Sequence, residues 1–319
     1  MKEIGGYFEL ELNKIDNMPN KEGVLVNSGR NALEYILRGI GVDKIGMLYV
    51  PRYTCEVIYE PIRKLGIKNV KKYEINENLE IDDFPRLREG DYVIANNYFG
   101  IKDSYIHSLI ERFGEHLIVD NSQALYYPIH GETKAFYSPR KFAGVPDGGI
   151  AWPSCSIEMN TDTSYDKCSH LLKRLDIDAN AAYEDFHINS DKLKEMPLKK
   201  MSRLTESLLG NIDFDVIRDC RKRNYDILRE ELEHMNLLDT PESSELSCPM
   251  VYPYRTMDKG MRSRLIANKV YVAKYWPDIE NSATRKDYAS IMAEQILALP
   301  IDQRYGEEDM KNIINIIKG

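Results

Sequence analysis

AFYSPRKFAGVPDGGIAW, residues 135–152, decides how this chain folds. An apolar run, Ala135–Phe136–Tyr137, gives way to the polar segment Ser138–Pro139–Arg140–Lys141. Gly144, Pro146, Gly148 and Gly149 then build a loop, and a second apolar run, Ile150–Ala151–Trp152, follows. Proline lacks an N–H and clashes backward, so it stops regular structure just before Lys141. The glycines permit tight backbone and close approach after it. The pattern predicts a lysine on a constrained loop between two short strands. A solvated lysine in a turn would produce similar local composition; a lysine that must meet a carbonyl carbon in fixed geometry would need this constraint.

Working outward from this stretch, the upstream sequence alternates strands and helices. Val24–Val26 reads as a brief strand running into Asn27–Ser28–Gly29–Arg30–Asn31 and a helical pattern from Ala32 to Ile40. A strand, a small polar turn and a helix point backbone N–H groups at an anion, and Arg30 adds a planar cation suited to phosphate. Capping by Asn27 or Ser28 uses the same groups, so both readings stand at this turn. Strands are expected at Met47–Val50, Val70–Ile75, Tyr92–Asn96 and Leu117–Val119, with helices ending at Leu65 and spanning Ser104–Phe113. Short connections in a β-α-β-α-β order mark a mostly parallel sheet covered by helices. Asp120 sits at the C-terminal end of a buried strand, the edge where such sheets bind ligands. Turn capping is the alternative use of an aspartate there. No Gly-x-Gly-x-x-Gly follows a strand and no Gly-x-x-x-x-Gly-Lys is present, which argues against dinucleotide and P-loop sites.

After Trp152 the pattern changes to helices. Long amphipathic segments are expected over Ser164–Tyr183, over Leu193–Leu209 with a break at Pro197, and over Phe214–Met235. Arg221–Lys222–Arg223 reads as a solvated face of the last of these. The tail predicts strands at Met250–Tyr254, Val270–Val272 and Ile296–Leu299, and helices at Lys259–Asn268, Asp287–Gln295 and Glu307–Ile317. Two domains are expected, an α/β domain over 1–210 and a small α+β domain over 211–319.

Composition sets further limits. The 319 residues are 43% hydrophobic and 29% charged, with a net charge of −8. An acidic chain is poorly suited to nucleic acid, whose binding rests on lysine and arginine. No apolar run is long enough to span a bilayer, and the N-terminal MKEIGGYFELELNK is too acidic for a signal peptide. Five scattered cysteines with no C-x-x-C pair fit a reducing cytoplasm, and no metal-spaced cluster exists.

The turn at Gly29, the strand ending in Asp120 and the constrained Lys141 resemble, in order and spacing, fold-type I enzymes that use pyridoxal 5′-phosphate. The resemblance is closest to the DegT/DnrJ/StrS family of sugar aminotransferases. It is carried by Ser28–Gly29–Arg30–Asn31–Ala32–Leu33, Pro51–Arg52–Tyr53–Thr54, Asn97–Tyr98–Phe99–Gly100, Val119–Asp120–Asn121–Ser122–Gln123–Ala124, and Lys141 with Asp147–Gly148–Gly149. Tyr275–Trp276–Pro277 and Leu299–Pro300–Ile301 are similar to that family's C-terminal part.

From composition, no membrane or nucleic-acid partner is expected; the resemblance implies a keto sugar, nucleotide-linked, as substrate, an amino donor such as glutamate, and a homodimer. It implies that Lys141 links covalently to the cofactor and moves protons, that Asp120 pairs with the ring nitrogen, and that Gln123 contacts the ring hydroxyl. Gly29, Arg30 and Asn31 would hold the phosphate, Ser138 would join them, and Tyr53 would stack on the ring. Departures from the family pattern are Arg30 for threonine, Cys55 for an aromatic residue, Phe136 for a serine, and no Asn-Tyr-Arg segment near Met196–Leu209. The alternative is a protein of the same fold kept for binding or regulation without turnover. Sugar dehydration is disfavoured, because the related dehydratases carry histidine at the lysine position.

Overall fold

The computed structural model describes residues 4–276, 279 and 287–319. Pro277 of the Tyr275–Trp276–Pro277 motif lies outside the described residues. The N-terminal arm makes no strand up to Val24; Tyr7, Phe8 and Leu10 are exposed along it.

A seven-stranded sheet is formed by β1 (Val24–Val26), β2 (Leu48–Pro51), β3 (Val70–Tyr73), β4 (Tyr92–Asn96), β5 (Leu117–Asn121), β6 (Lys134–Tyr137) and β7 (Gly149–Trp152), in the order β1-β7-β6-β5-β4-β2-β3. β2, β3, β4, β5 and β6 pair in parallel. β7 is antiparallel to both β6 and β1, so β1 runs the same way as the other five. β5 is buried along its whole length, which its unbroken apolar Leu117–Ile118–Val119 run requires of an interior parallel strand.

The pleat divides the core. Ile118, Ile94, Phe136 and Ala151 pack on one face with α1 (Gly29–Ile40). Leu117, Val119, Val93 and Ala135 face the other way. This second core continues without a break into α7 (Phe214–Leu232) through Phe214, Ile217, Tyr225 and Leu228. The C-terminal part adds an antiparallel pair, β8 (Tyr252–Arg255) with β9 (Ile296–Leu299), and a helix over Glu307–Lys318 that packs on α7.

Three expectations need correction. Ser164–Tyr183 is not one helix: α4 (Ser169–Asp176) ends, and α5 (Tyr183–Lys192) begins afresh. Asp178 separates them, its side chain accepting from the N–H groups of Asn180 and Ala181 at 2.8 and 2.9 Å in a local turn. In Leu193–Leu209 only α6 (Arg203–Asn211) is helical. The preceding segment is extended because Lys200 bridges to Val26 and Thr161. Val270–Val272 forms no strand; the bridge to β9 is made by Ala273.

Candidate active site

Strand direction assembles the site. The C-terminal ends of β1, β5 and β6 share one edge of the sheet, and each leads into a segment singled out above. Asp120 pairs with Phe136 across β5 and β6, so the Asp120 turn and the Lys141 loop emerge side by side. Ser28 bridges to Gly148, which draws the start of α1 to the same place. A Cβ built on Gly29 would lie 3.4 Å from that of Ser138, so these two residues meet across 109 positions of chain.

Lys141 closes a single helical turn over Pro139–Lys141. Its Nζ donates to Ser122 Oγ at 3.0 Å. The side chain stays accessible, yet the protein atoms crowded around it hold its ammonium below the usual lysine range. The Asp120 charge offsets part of that effect, and Cys55 also bears on the amine. Asp120 is buried, and burial pushes its carboxyl above the usual range, against the pull of Lys141 and Ser122. Asp120 Oδ1 accepts from the Ser122 N–H at 2.8 Å; Oδ2 has no hydrogen-bond partner among the described residues. Gln123 Oε1 accepts from the Phe99 N–H at 2.8 Å, while its buried Nε2 has no partner among the described residues.

Ser28 caps α1 by accepting from the Asn31 N–H at 3.1 Å. The first N–H groups of a helix have no partner inside it, and the start of α1 lies against Ser138 at Gly29. The Arg30 and Asn31 side chains are committed elsewhere, contrary to the phosphate role expected of them. Arg30 Nε stands 3.1 Å from Glu60, and its Nη1 donates to the Leu193 carbonyl at 2.9 Å. Asn31 Nδ2 donates to Asn27 and to the Pro197 carbonyl at 2.6 and 3.0 Å. Removing Arg30 would leave the buried Glu60 without its cation. Arg30→Ala is therefore expected to cost about 1–2 kcal/mol of stability and to leave cofactor affinity within twofold, read by denaturant titration and cofactor titration.

Tyr53 is also placed differently from the stacking role. It is wholly buried, edge-on to Trp276 at 4.7 Å and tilted against Tyr98 at 5.4 Å, so neither face meets the cleft. Asp147, part of the Asp147–Gly148–Gly149 motif, is structural. It accepts from Thr205 and from Lys167, and Lys167 also reaches Asp162 at 3.1 Å.

Sequence reasoning missed two arginines. Arg140, beside Lys141, is half-buried and makes no hydrogen bond or ion pair among the described residues. Burial, and then the Arg30 charge, lower its pKa. Arg221, read as solvated, is only 3% exposed. The signal was present: 214, 217, 221, 225 and 228 follow helical spacing, so Arg221 lies on the stripe that α7 buries.

A cavity of about 220 Å³ has Lys141, Arg221, Tyr275 and Asp302 on its walls. A larger hollow of about 840 Å³ lies between the N-terminal arm and Glu206–Gly210 and shares no lining residue with it. Among the described residues no cluster of histidine, cysteine and carboxylate suits a metal, and no helix is long and apolar enough to cross a membrane.

No protein-family model and no curated protein sequence matches the chain. Solved structures do. A DegT DnrJ EryC1 StrS aminotransferase from Brucella abortus superposes with a TM-score of 0.60 at 16% identity, covering 93% of this chain and 85% of that one. The sugar aminotransferase CalS13 from Micromonospora echinospora gives 0.61 at 15% identity over 92% and 86%. NtdA from Bacillus subtilis, solved with bound cofactor PMP, gives 0.62 at 15% identity over 93% and 73%. The chain therefore has the fold of the DegT/DnrJ/EryC1/StrS sugar aminotransferases, the fold-type I architecture, along nearly all of its length.

Proposed function

We propose that this chain is an aminotransferase using pyridoxal 5′-phosphate, which moves an amino group from an amino acid such as glutamate to a keto sugar, nucleotide-linked. The observation that carries this reading is the Lys141 amine. It is accessible, poised below the usual lysine range, and held by Ser122 beside the carboxylate that ends the neighbouring strand.

The residues fit the cofactor on their own chemistry. Gln123 Nε2 is a buried donor with no partner among the described residues, a costly arrangement unless an acceptor arrives. Asp120 has an oxygen without a hydrogen-bond partner among the described residues, and the start of α1 stands next to Ser138, where a helix start and a hydroxyl together suit an anion. In this reading Asp120 holds the ring nitrogen, Gln123 the ring hydroxyl, and the Gly29 N–H with Ser138 Oγ the phosphate. When bound, the cofactor supplies an electron sink for the carbon that carries the amine. Lys141 provides the attaching amine and, when freed, takes and returns a proton at Nζ. Ser122 orients Nζ through the 3.0 Å hydrogen bond.

A homodimer belongs to the same proposal. It is supported by the exposed apolar side chains of Leu172, Leu175, Tyr183 and Phe186 on α4 and α5. So does a division into 1–210 and 211–319, which is supported by the two separate sheets. The cytoplasm is supported by five free cysteines among the described residues.

The second reading, binding without turnover, draws on Arg30 and Tyr53 being engaged away from the cleft. The two are separated by incubating cofactor-loaded protein with glutamate and a panel of nucleotide-linked keto sugars. Formation of 2-oxoglutarate with an amino sugar is expected, and a loaded protein inert toward the whole panel favours the second reading. Asp120→Asn is expected to lower the transamination rate about 10²- to 10³-fold while the cofactor remains attached at Lys141. Single-turnover kinetics with peptide mapping would read both.

A further inference from the structure

One buried ammonium ties the lysine loop to the start of α1. Lys167 ends a single turn, Tyr165–Lys167, ahead of α4, and is 7% exposed. An ammonium has three N–H donors. Three acceptors meet them: Asp147 at 3.2 Å, Asp162 at 3.1 Å and the Thr163 carbonyl at 3.1 Å. Asp147 is fully buried and belongs to the loop that carries Lys141. Asp162 reaches the other way. Its Oδ2 also accepts from Asn27 Nδ2 at 3.2 Å, and its Oδ1 accepts from Lys199 at 3.0 Å. Asn27 leads into α1, accepts from the Asn31 side chain in its first turn, and takes the Gly148 N–H on its carbonyl at 3.0 Å.

Two buried carboxylates that share a site repel unless a cation stands between them. Burial pushes the Asp147 carboxyl up, Thr205 and Lys167 pull it back, and Asp162 pushes it further. Without Lys167, the loop and the Asp162 segment would part or a carboxyl would take a proton. The tie joins the two places where the proposed cofactor is held, its carbonyl carbon at Lys141 and its phosphate at the start of α1. A ligand held at two points is sensitive to their separation; a ligand held at one is not.

We propose that Lys167 is a positioning residue, which by joining Asp147 to Asp162 fixes where Lys141 stands relative to the start of α1. The inference rests on the cofactor assignment made above. The probes are pyridoxal phosphate and pyridoxal, which lacks the second anchor, titrated into the full chain and trapped with borohydride. Lys167→Met and Asp147→Asn are each expected to weaken pyridoxal phosphate about tenfold and pyridoxal by less than about threefold.

Charge supplies a second readout. Asp120, Cys55 and Arg140 face the Lys141 amine, and Arg140 itself faces Arg30 and Asp147. Losing the Lys167 cation leaves Asp147 freer to offset Arg140, so the pH midpoint of attachment at Lys141 should rise in Lys167→Met. Losing the Asp147 charge should lower it in Asp147→Asn, each shift being about half a pH unit or more. A loosened fold would move both midpoints the same way. If Lys167→Met does not fold, Asp147→Asn, which keeps the shape of the side chain, carries both measurements.

Unchanged affinity for pyridoxal phosphate, equal weakening of both probes, or midpoints that stay or move together overturns the proposal. A parent protein that attaches neither probe at Lys141 overturns it along with the cofactor assignment. If attachment depends on Lys167 as expected while glutamate is never converted, the positioning role stands and the transaminase reading falls. If glutamate is converted and the variants bind both probes as the parent does, the positioning role alone falls.

Discussion

Lys141→Ala is expected to abolish the borohydride-stable attachment of pyridoxal phosphate and to reduce transamination to background. The position is special for three reasons that converge on one atom. The loop leaves the sheet beside Asp120, Ser122 directs Nζ, and crowding by surrounding protein favours the neutral amine. Only the neutral amine is a nucleophile. The rate of attachment should therefore rise with pH and level off below the pH at which an ordinary lysine would, because the Lys141 pKa is lowered. Borohydride trapping at a series of pH values, followed by peptide mapping, measures this. Trapping spread over several lysines, or undiminished in Lys141→Ala, would refute the assignment.

The second large effect is structural. Gly149→Ala is expected to cost about 3 kcal/mol or more, or to prevent folding. A Cβ at Gly149 would lie 2.2 Å from the Ser28 carbonyl oxygen and 2.8 Å from the Gly29 nitrogen. Both are backbone atoms, held by the β1–β7 pairing and by the start of α1, so no side-chain rotation relieves the contact. Gly66→Ala is the comparison. A Cβ at Gly66 meets nothing within 4 Å, so its cost is only the strain of φ +70°. Chemical denaturation should rank Gly149→Ala far below Gly66→Ala. If both variants lose the same small amount, the sheet can part from α1 and the close approach is not a constraint.

These two positions also show what a single sequence makes legible. Local apolar runs located the strands of the large sheet within a residue or two, because buried strands declare themselves by composition. The meeting of Asp120 with Lys141 follows once the strands are taken as parallel, since ligand-bearing ends then share an edge. The errors come from contacts distant in sequence. Arg30 looked like a phosphate ligand because Glu60 and Leu193, which hold it, lie 30 and 163 residues away. Tyr53 looked available because nothing nearby in sequence announces the Trp276 ring against it. The segment before Arg203 kept a helical pattern, but Lys200 is drawn into bridges with Val26 and Thr161. Arg221 was missed for a different reason: its charge outweighed a spacing that already placed it inside.

The reversed strand β7 has a consequence for how readily the lysine is made available. Because β7 returns antiparallel to β6, the eleven residues between Tyr137 and Gly149 begin and end on the same edge of the sheet. A parallel arrangement would have sent the chain across the sheet and back, with a long, loose excursion. Here the span is clamped at both ends and tied once more where Gly148 meets Ser28. A clamped span has few shapes to lose, so little configurational entropy is spent when Lys141 engages a ligand. The amine behaves as a fitting on a rigid bracket, in its working place before any ligand reaches it.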